Sequence, residues 1–178
     1  MRVATNDGKF IARYSEKGLA GLDFHKVGRA LYFNCRRRGN ESKISSASSV
    51  SVRDSSRRLL QIKIRAWHRL TEAALKKILA GGEPKKIPPL DMAGTKFQKI
   101  VWNALRKISL GKTKSYCEIA KTIGRPKAVR AVGGACGANP VPVLVPCHRV
   151  LAANKKLGGF SGGLDWKRSL LKREGIKF

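Results

Sequence analysis

Ser115-Tyr-Cys-Glu-Ile-Ala-Lys-Thr-Ile-Gly-Arg-Pro-Lys-Ala-Val-Arg-Ala-Val-Gly-Gly-Ala135 is the stretch on which the fold turns. Ser115 and Glu118 have the spacing of a capping box, in which the serine hydroxyl accepts from a free amide of the first turn and the glutamate reaches back to the serine N–H. Ile119 and Ile123 follow at helical spacing, and Gly124 is placed to end the helix. Pro126 suits a first helical position, so a second helix is predicted to open there and run to about Asn139, where Pro140 forbids continuation. Two short helices joined by Gly124-Arg125-Pro126 make a helix-turn-helix candidate, although an ordinary helical corner leaves the same pattern. The second helix is rich in small residues, Ala128, Ala131, Gly133, Gly134, Ala135, Gly137 and Ala138, and each glycine costs about 1 kcal/mol against alanine. Something needs close backbone approach: either tight packing within the domain, or a nucleic-acid groove into which the helix presses while Lys127 and Arg130 supply charge.

Upstream, Thr95-Lys-Phe-Gln98 is another capping box, and Ile100, Val101, Ala104, Leu105 and Ile108 continue it as a buried stripe that ends before Gly111. Ile87-Pro-Pro-Leu90 reads as a linker. Before it, Trp67, Leu70, Ala74 and Ile78 recur at helical spacing until Gly81-Gly82 and Pro84 stop them. Residues 10–14 and 19–24 alternate apolar and polar on either side of Glu16-Lys17-Gly18, which predicts a β-hairpin, with 30–33 as a third strand. Residues 34–58, with Arg36-Arg37-Arg38 and a serine cluster, have scarcely any apolar period and read as a mobile basic loop. The expected fold is α+β: a domain over 1–88 with a small antiparallel sheet and a covering helix, then a mostly helical domain over 89–178 containing the helix-turn-helix.

The charge sets the partner. Among 178 residues, 38 Lys+Arg face 11 Asp+Glu for a net +27, an excess that calls for a polyanion, with nucleic acid the default and a basic membrane-surface protein the runner-up. No run approaches the ~18 apolar residues of a membrane span, and the start lacks the apolar core of a secretory signal, so a soluble, intracellular protein is expected, cytoplasmic in a prokaryote and nuclear in a eukaryote. Four cysteines without C-x-x-C spacing read as free thiols in a reducing compartment.

Asn139-Pro-Val-Pro-Val-Leu-Val-Pro-Cys-His-Arg-Val150 sets a thiol beside an imidazole and a guanidinium. That setting favours a depressed thiol pKa and a reactive thiolate; residue type alone instead favours Cys147 as a small buried hydrophobe, with His148 a structural histidine. If the segment is a strand, adjacent residues point to opposite faces, and a direct contact between Cys147 and His148 needs a bend or a water.

Pro146-Cys-His-Arg-Val150, with Arg130-Ala-Val-Gly-Gly-Ala135 and Asn139-Pro140 before it and Gly159-Phe-Ser-Gly-Gly163 and Glu174-Gly175 after it, resembles the O6-alkylguanine-DNA alkyltransferase family, densely from 94 to 175. The resemblance implies irreversible transfer of an alkyl group from O6 of guanine in double-stranded DNA, with O4-alkylthymine as a second candidate lesion, to Cys147, once per molecule, without cofactor and as a monomer. His148 would be the general base through a water, Glu174 would orient it, and Asn139 would brace the segment. Tyr116 would give the leaving base a proton at N3. Arg130 would fill the gap left by a flipped nucleotide, with Tyr116, Lys127, Ala131, Gly133, Gly134 and Arg149 also at the DNA. The pocket wall would come from Pro142, Val150 with its carbonyl, Gly158, Gly159 and Ser161, whose amide could donate to O6. Phe160 departs from the tyrosine frequent among relatives, leaving an apolar contact. Relatives with tryptophan in place of the cysteine only bind lesions; Cys147 places this chain with the reactive branch. Some relatives hold a structural zinc, but His25, Cys35 and His68 are not spaced as a ligand set, and no metal is expected.

Overall fold

Alternation over Phe10, Ala12 and Tyr14 sends three side chains to one face, and the computed structural model, which describes residues 1–5, 8–25 and 52–177, pairs this strand on both sides. β1 (Arg2–Thr5), β2 (Gly8–Tyr14) and β3 (Leu19–His25) form an antiparallel sheet in the order β1-β2-β3. Phe10 lies opposite Phe24 and Val3 opposite Phe10, and Val3, Phe10, Ala12, Leu19 and Leu22 are buried. The predicted hairpin is therefore present. The third strand is β1, which the sequence reading had not foreseen; the stretch 30–33 proposed for it lies outside the described residues.

α1 (Val52–Leu79) covers the sheet through its second half, where Thr71, Ala74, Leu75, Ile78 and Leu79 are buried and Tyr14 Oη donates to Thr71 Oγ1 at 2.8 Å. It starts earlier than expected and corrects the loop assigned to 34–58: residues 52–58 are helical, while 34–51 lie outside the described residues. Arginine is a good helix former, so a helix nucleated by its packed end propagates outward without needing an apolar period of its own. Ile87 to Leu90, expected as a linker, is bonded to the sheet edge, with Leu19 N donating to Pro89 O and Asp91 N to Leu19 O.

The remaining elements are α2 (Lys96–Leu105), β4 (Lys114–Ser115), α3 (Tyr116–Thr122), α4 (Val129–Gly137), a 3-10 turn (Cys147–Arg149), β5 (Val150–Leu151), a second 3-10 turn (Ala153–Lys155) and α5 (Leu164–Arg173). Both capping boxes form as read, Thr95 with Gln98 and Ser115 with Glu118. α4 opens at Val129 rather than at Pro126, because Arg125 N bonds to Ala120 O and Ala128 N to Arg125 O, and these turns occupy the residues that would have been its first turn. The core is continuous across both halves: Phe10 meets Trp166 of α5 edge-on and Phe24 meets it at a tilt, and Leu22 N donates to Pro140 O. Among the described residues no helix is long and apolar enough to cross a membrane.

Candidate active site

Two parallel two-residue strands set the site. Lys114 pairs with Val150 and Ser115 with Leu151, which ties the start of α3, and hence Tyr116, to the chain just after Cys147. Before Cys147, Asn139 replaces a strand ladder. Its Nδ2 donates to Val145 O at 2.9 Å and lies 3.2 Å from Cys147 Sγ, while its Oδ1 accepts from Val141 N at 3.0 Å. The turn so held puts Val143 at φ 75°, a left-handed conformation that a β-branched residue adopts only when its surroundings impose it.

Cys147, His148 and Arg149 form a 3-10 turn and not a strand, so neighbouring side chains fan out instead of opposing one another. His148 is fully buried, with Nε2 2.9 Å from Glu174 Oε1. Its Nδ1 is buried and has no hydrogen-bond partner. Burial pulls its pKa below the ordinary value against the opposing pull of Glu174, so the imidazole is neutral near pH 7. Phe160 sets its ring edge-on to His148, with centroids 6.3 Å apart, and meets Phe24 of β3 on the other side. The apolar contact expected of Phe160 is thus made to the imidazole itself.

The sequence reading set Arg149 at the DNA, and the structure turns its side chain inward to Glu174. Its Nε and Nη2 bond both carboxylate oxygens of Glu174 at 2.9 to 3.2 Å, and Nη1 donates to Ile108 O at 2.6 Å. The guanidinium is thus buried and engaged inside the fold. Although burial opposes ionisation of Glu174, the bonds from His148 and Arg149 outweigh it, and its carboxyl titrates below the usual range.

The thiol also differs from expectation. Burial pushes the pKa of Cys147 up, and Asn139 and Lys167 only partly offset this. The nearby cation is Lys167, which the sequence reading missed. Fully buried, its Nζ donates to Val150 O at 2.6 Å, to Leu157 O, and to Gly159 O at 3.3 Å. Burial brings its pKa down to about 8, with the thiols Cys147 and Cys136 pulling the other way. One signal was present: Lys167, Leu170, Leu171 and Glu174 lie at i, i+3, i+4 and i+7, one face of α5 continued into its C-cap, and all four are buried.

Tyr116 is half-buried at the start of α3. Burial raises its pKa, with the neighbouring Cys136 and Cys147 adding to the effect and a hydrogen bond from the Gly159 backbone opposing it. Gly158 sits at φ 64°, and a Cβ there would come within 3.1 Å of Tyr116 Oη. Of the other residues assigned to the pocket, Pro142 and Val150 are buried, Gly158 is half-buried, and Gly159 and Ser161 are exposed; the Val150 carbonyl already accepts from Lys167.

α4 turns Val132, Ala135 and Cys136 inward, where Trp102 Nε1 donates to Ala135 O at 2.8 Å. Arg130, Ala131, Gly134, Gly137 and Lys127 are exposed. A Cβ on Gly134 or Gly137 would meet nothing within 4 Å, and one on Gly133 only the Tyr116 ring at 4.0 Å. Packing within the domain does not require these glycines. Among the described residues, no group of three His, Cys, Asp or Glu gathers as a metal site; His68 instead lies beside Tyr14, its Nδ1 3.3 Å from the phenol oxygen. Cys117, Cys136 and Cys147 are free thiols, while Cys35 lies outside the described residues.

A family model described as 6-O-methylguanine DNA methyltransferase, DNA binding domain, matches residues 96–176. The chain is 61% identical over 82 residues to the methylated-DNA–protein-cysteine methyltransferase of Methanosarcina acetivorans, covering 46% of this chain and 53% of that protein. It is 51% identical over 90 residues to the Haemophilus influenzae protein of the same name, covering 51% and 50%. The chain thus spans about half the length of the curated relatives it matches. Among solved structures, Mycobacterium tuberculosis O6-methylguanine methyltransferase superposes with a TM-score of 0.67 at 31% identity, covering 97% of this chain and 90% of that one. A structure of Mycobacterium tuberculosis OGT in complex with DNA superposes with a TM-score of 0.64 at 32% identity over the same shares.

Proposed function

Because the chain belongs to the family of O6-methylguanine-DNA methyltransferases, we propose that it repairs double-stranded DNA by moving an alkyl group from O6 of guanine irreversibly onto Cys147, acting as a monomer, once per molecule and without cofactor. The observation that carries this reading is the buried relay at Cys147. Asn139 holds the sulfur at 3.2 Å, His148 is neutral, and Glu174 fixes its far nitrogen at 2.9 Å. An unpartnered Nδ1 in a buried imidazole is an acceptor in waiting.

In the proposed reaction the Cys147 proton passes through a water to His148 Nδ1, and the resulting imidazolium is stabilised by Glu174. The thiolate attacks the alkyl carbon, the S–C bond forms as the C–O6 bond breaks, and the electron pair of the broken bond passes into the guanine ring. Tyr116, kept protonated by its raised pKa, donates its proton at N3, so that the base leaves neutral. Pro142, Val150, Gly158, Gly159 and Ser161 would wall the pocket, with the Ser161 amide directed to O6.

A base inside a duplex cannot reach this site, so the nucleotide is flipped out, at a cost of a few kcal/mol. Arg130, exposed on the first turn of α4, would fill the vacated stack, while Ala131, Gly133 and Gly134 let the backbone close on the minor groove and Lys127 meets phosphate. The solved complex of a relative with DNA supports this partner. The test is intact mass after mixing with a duplex carrying O6-methylguanine: the protein gains one methyl and Cys147→Ala gains none. An unchanged wild-type mass would leave a lesion-binding protein in its place, and methylation of Cys147→Ala would move the acceptor to another thiol.

A further inference from the structure

Gly158-Gly-Phe-Ser-Gly-Gly163 has glycine at 158, 159, 162 and 163, and glycine gives up more backbone freedom on ordering than any other residue. Three of the proposed pocket residues, Gly158, Gly159 and Ser161, belong to this loop. Its first half is tied down by Lys167, which donates to Leu157 O and Gly159 O. In its second half Gly163 N bonds to Phe160 O at 3.0 Å, a bond within the loop itself. What sets this half against the rest of the fold is the Phe160 ring.

That ring is half-buried and stands between two partners. His148 lies edge-on to it at 6.3 Å between centroids, and Phe24 of β3 lies edge-on at 5.7 Å. Phe24 is itself seated, 5.4 Å from Phe10 and 5.2 Å from Trp166. Phe10, opposite it on the hairpin, is buried in the core, whereas Phe24 is half-buried and reaches on to the loop. The loop lies tight on this ring. A Cβ at Gly162 would come within 2.7 Å of Phe24 Cε2 and 3.0 Å of Phe160 Cε1. The φ of Gly162 is not positive, so the rings, and not the backbone, exclude a side chain there.

We propose that Phe24 is a positioning residue for the reaction: through Phe160 it holds the loop 158–163 where the loop backbone walls the lesion pocket. It touches no substrate, and it makes the N-terminal sheet part of the pocket's geometry. The proposal rests on the reading of this loop as pocket wall under the proposed function, and it deepens that reading by naming what keeps the wall in place.

The test compares the wild type, Phe24→Leu, Phe160→Leu and the double variant in two measurements: amide exchange at Gly163, and reaction with free O6-benzylguanine over a concentration series. Leucine keeps an apolar side chain and removes the ring. One edge-to-face contact corresponds to about two- to tenfold in an equilibrium. Phe24→Leu should therefore speed exchange at Gly163 by about that factor and raise the half-saturating concentration of O6-benzylguanine by up to the same factor, while saturating substrate restores the limiting rate. Both effects should vanish when Phe160 is already leucine. Effects of equal size with and without Phe160→Leu overturn the proposal, because Phe24 would then act on the fold in general, and so does a half-saturating concentration that does not move. Gly162→Ala presses a methyl group onto the same ring from the loop side and should reproduce the rise; if Phe24→Leu does not fold, Gly162→Ala decides in its place, and an unmoved half-saturating concentration overturns the proposal. Exchange at Gly163 needs no alkyl transfer. A wild type that gains no alkyl group would sink the proposed function, whereas a reactive wild type whose variants match it would sink the role of Phe24 alone.

Discussion

Lys167→Met separates the electrostatic part of the site from its architecture. Methionine matches the lysine stem in length and removes the charge. The Val150 carbonyl, buried, then loses its donor, at a cost of about 1–3 kcal/mol, while the Leu157 and Gly159 carbonyls lie near enough to the surface to take water. Against that loss, an ammonium no longer has to be buried, a burden large enough to bring its pKa down to about 8. Folding stability should therefore change little. The thiol should respond more strongly, because Lys167 is one of the two side chains that oppose the upward push of burial on Cys147. A nearby opposite charge moves a pKa by about 1–3 units; at the low end the variant has about tenfold less thiolate and a single-turnover rate about tenfold slower. The assay is reaction with free O6-benzylguanine across pH, followed by intact mass. The wild-type rate should rise with pH and then fall as Lys167 deprotonates above about 8, whereas the variant lacks that fall and its rise is shifted to higher pH by about one unit. A slower rate with an unmoved pH profile would show that Lys167 only braces the carbonyls, and an unchanged rate would refute any role at the thiol.

Arg130→Ala should slow repair of duplex far more than reaction with free O6-benzylguanine, because the arginine is assigned to an extrusion costing a few kcal/mol and not to the bond change; equal losses on the two substrates would remove it from that role. Gly134→Ala should raise the melting temperature, since alanine is better in a helix by about 1 kcal/mol and its Cβ meets nothing within 4 Å, yet duplex repair should slow; repair at the wild-type rate would mean that no partner approaches this face closely. Glu174, whose carboxyl titrates below its ordinary 4.5, stabilises the fold above that pH and ceases to as pH falls through its lower native value. Urea midpoints of the wild type should therefore fall more steeply below pH 4.5 than those of Glu174→Gln, and parallel curves would place the acid lability elsewhere.

The helix starts around the site were legible because their signals are local: a capping box closes within four residues, and both formed. What escaped was decided by partners distant in sequence. β1 is four residues long and becomes a strand only because β2 has an open edge. β4 and β5, two residues each, leave no period to read, yet they bring Tyr116 to Cys147. For Cys147, charge was counted without burial: Arg149 lies two residues away in sequence, but Glu174 claims the guanidinium, and desolvation dominates what remains. Lys167 was hidden by its type, since a lysine in an amphipathic helix reads as surface unless its position on the inward stripe is given more weight than its charge. The two explanations of the small-residue helix could be separated only in three dimensions, where the glycines of α4 face open space.

The raised pKa of Cys147 does not count against a nucleophilic role. A thiolate held ready beside Lys167 would react with any electrophile that reached it, and under the proposed function a protein spent by a single alkylation would have no means of recovering. Burial keeps the resting thiol protonated, and the neutral His148, lowered in pKa by the same burial, can take the proton only by creating an ion pair inside the fold. Glu174 lies 2.9 Å from His148 Nε2, and Lys167 opposes the effect of burial on the thiol; in the proposed reaction the first would hold the imidazolium and the second the thiolate. In the proposed reaction the charge separation becomes worthwhile when an alkylated base fills the pocket, excludes water and sets its carbon before the sulfur, because the electrostatic attraction then acts in a drier site of lower effective dielectric. Selectivity for the lesion would thus reside partly in when the proton moves. Burial makes Cys147 inert at rest, and in the proposed reaction Glu174 and Lys167 would supply its reactivity once the base arrives.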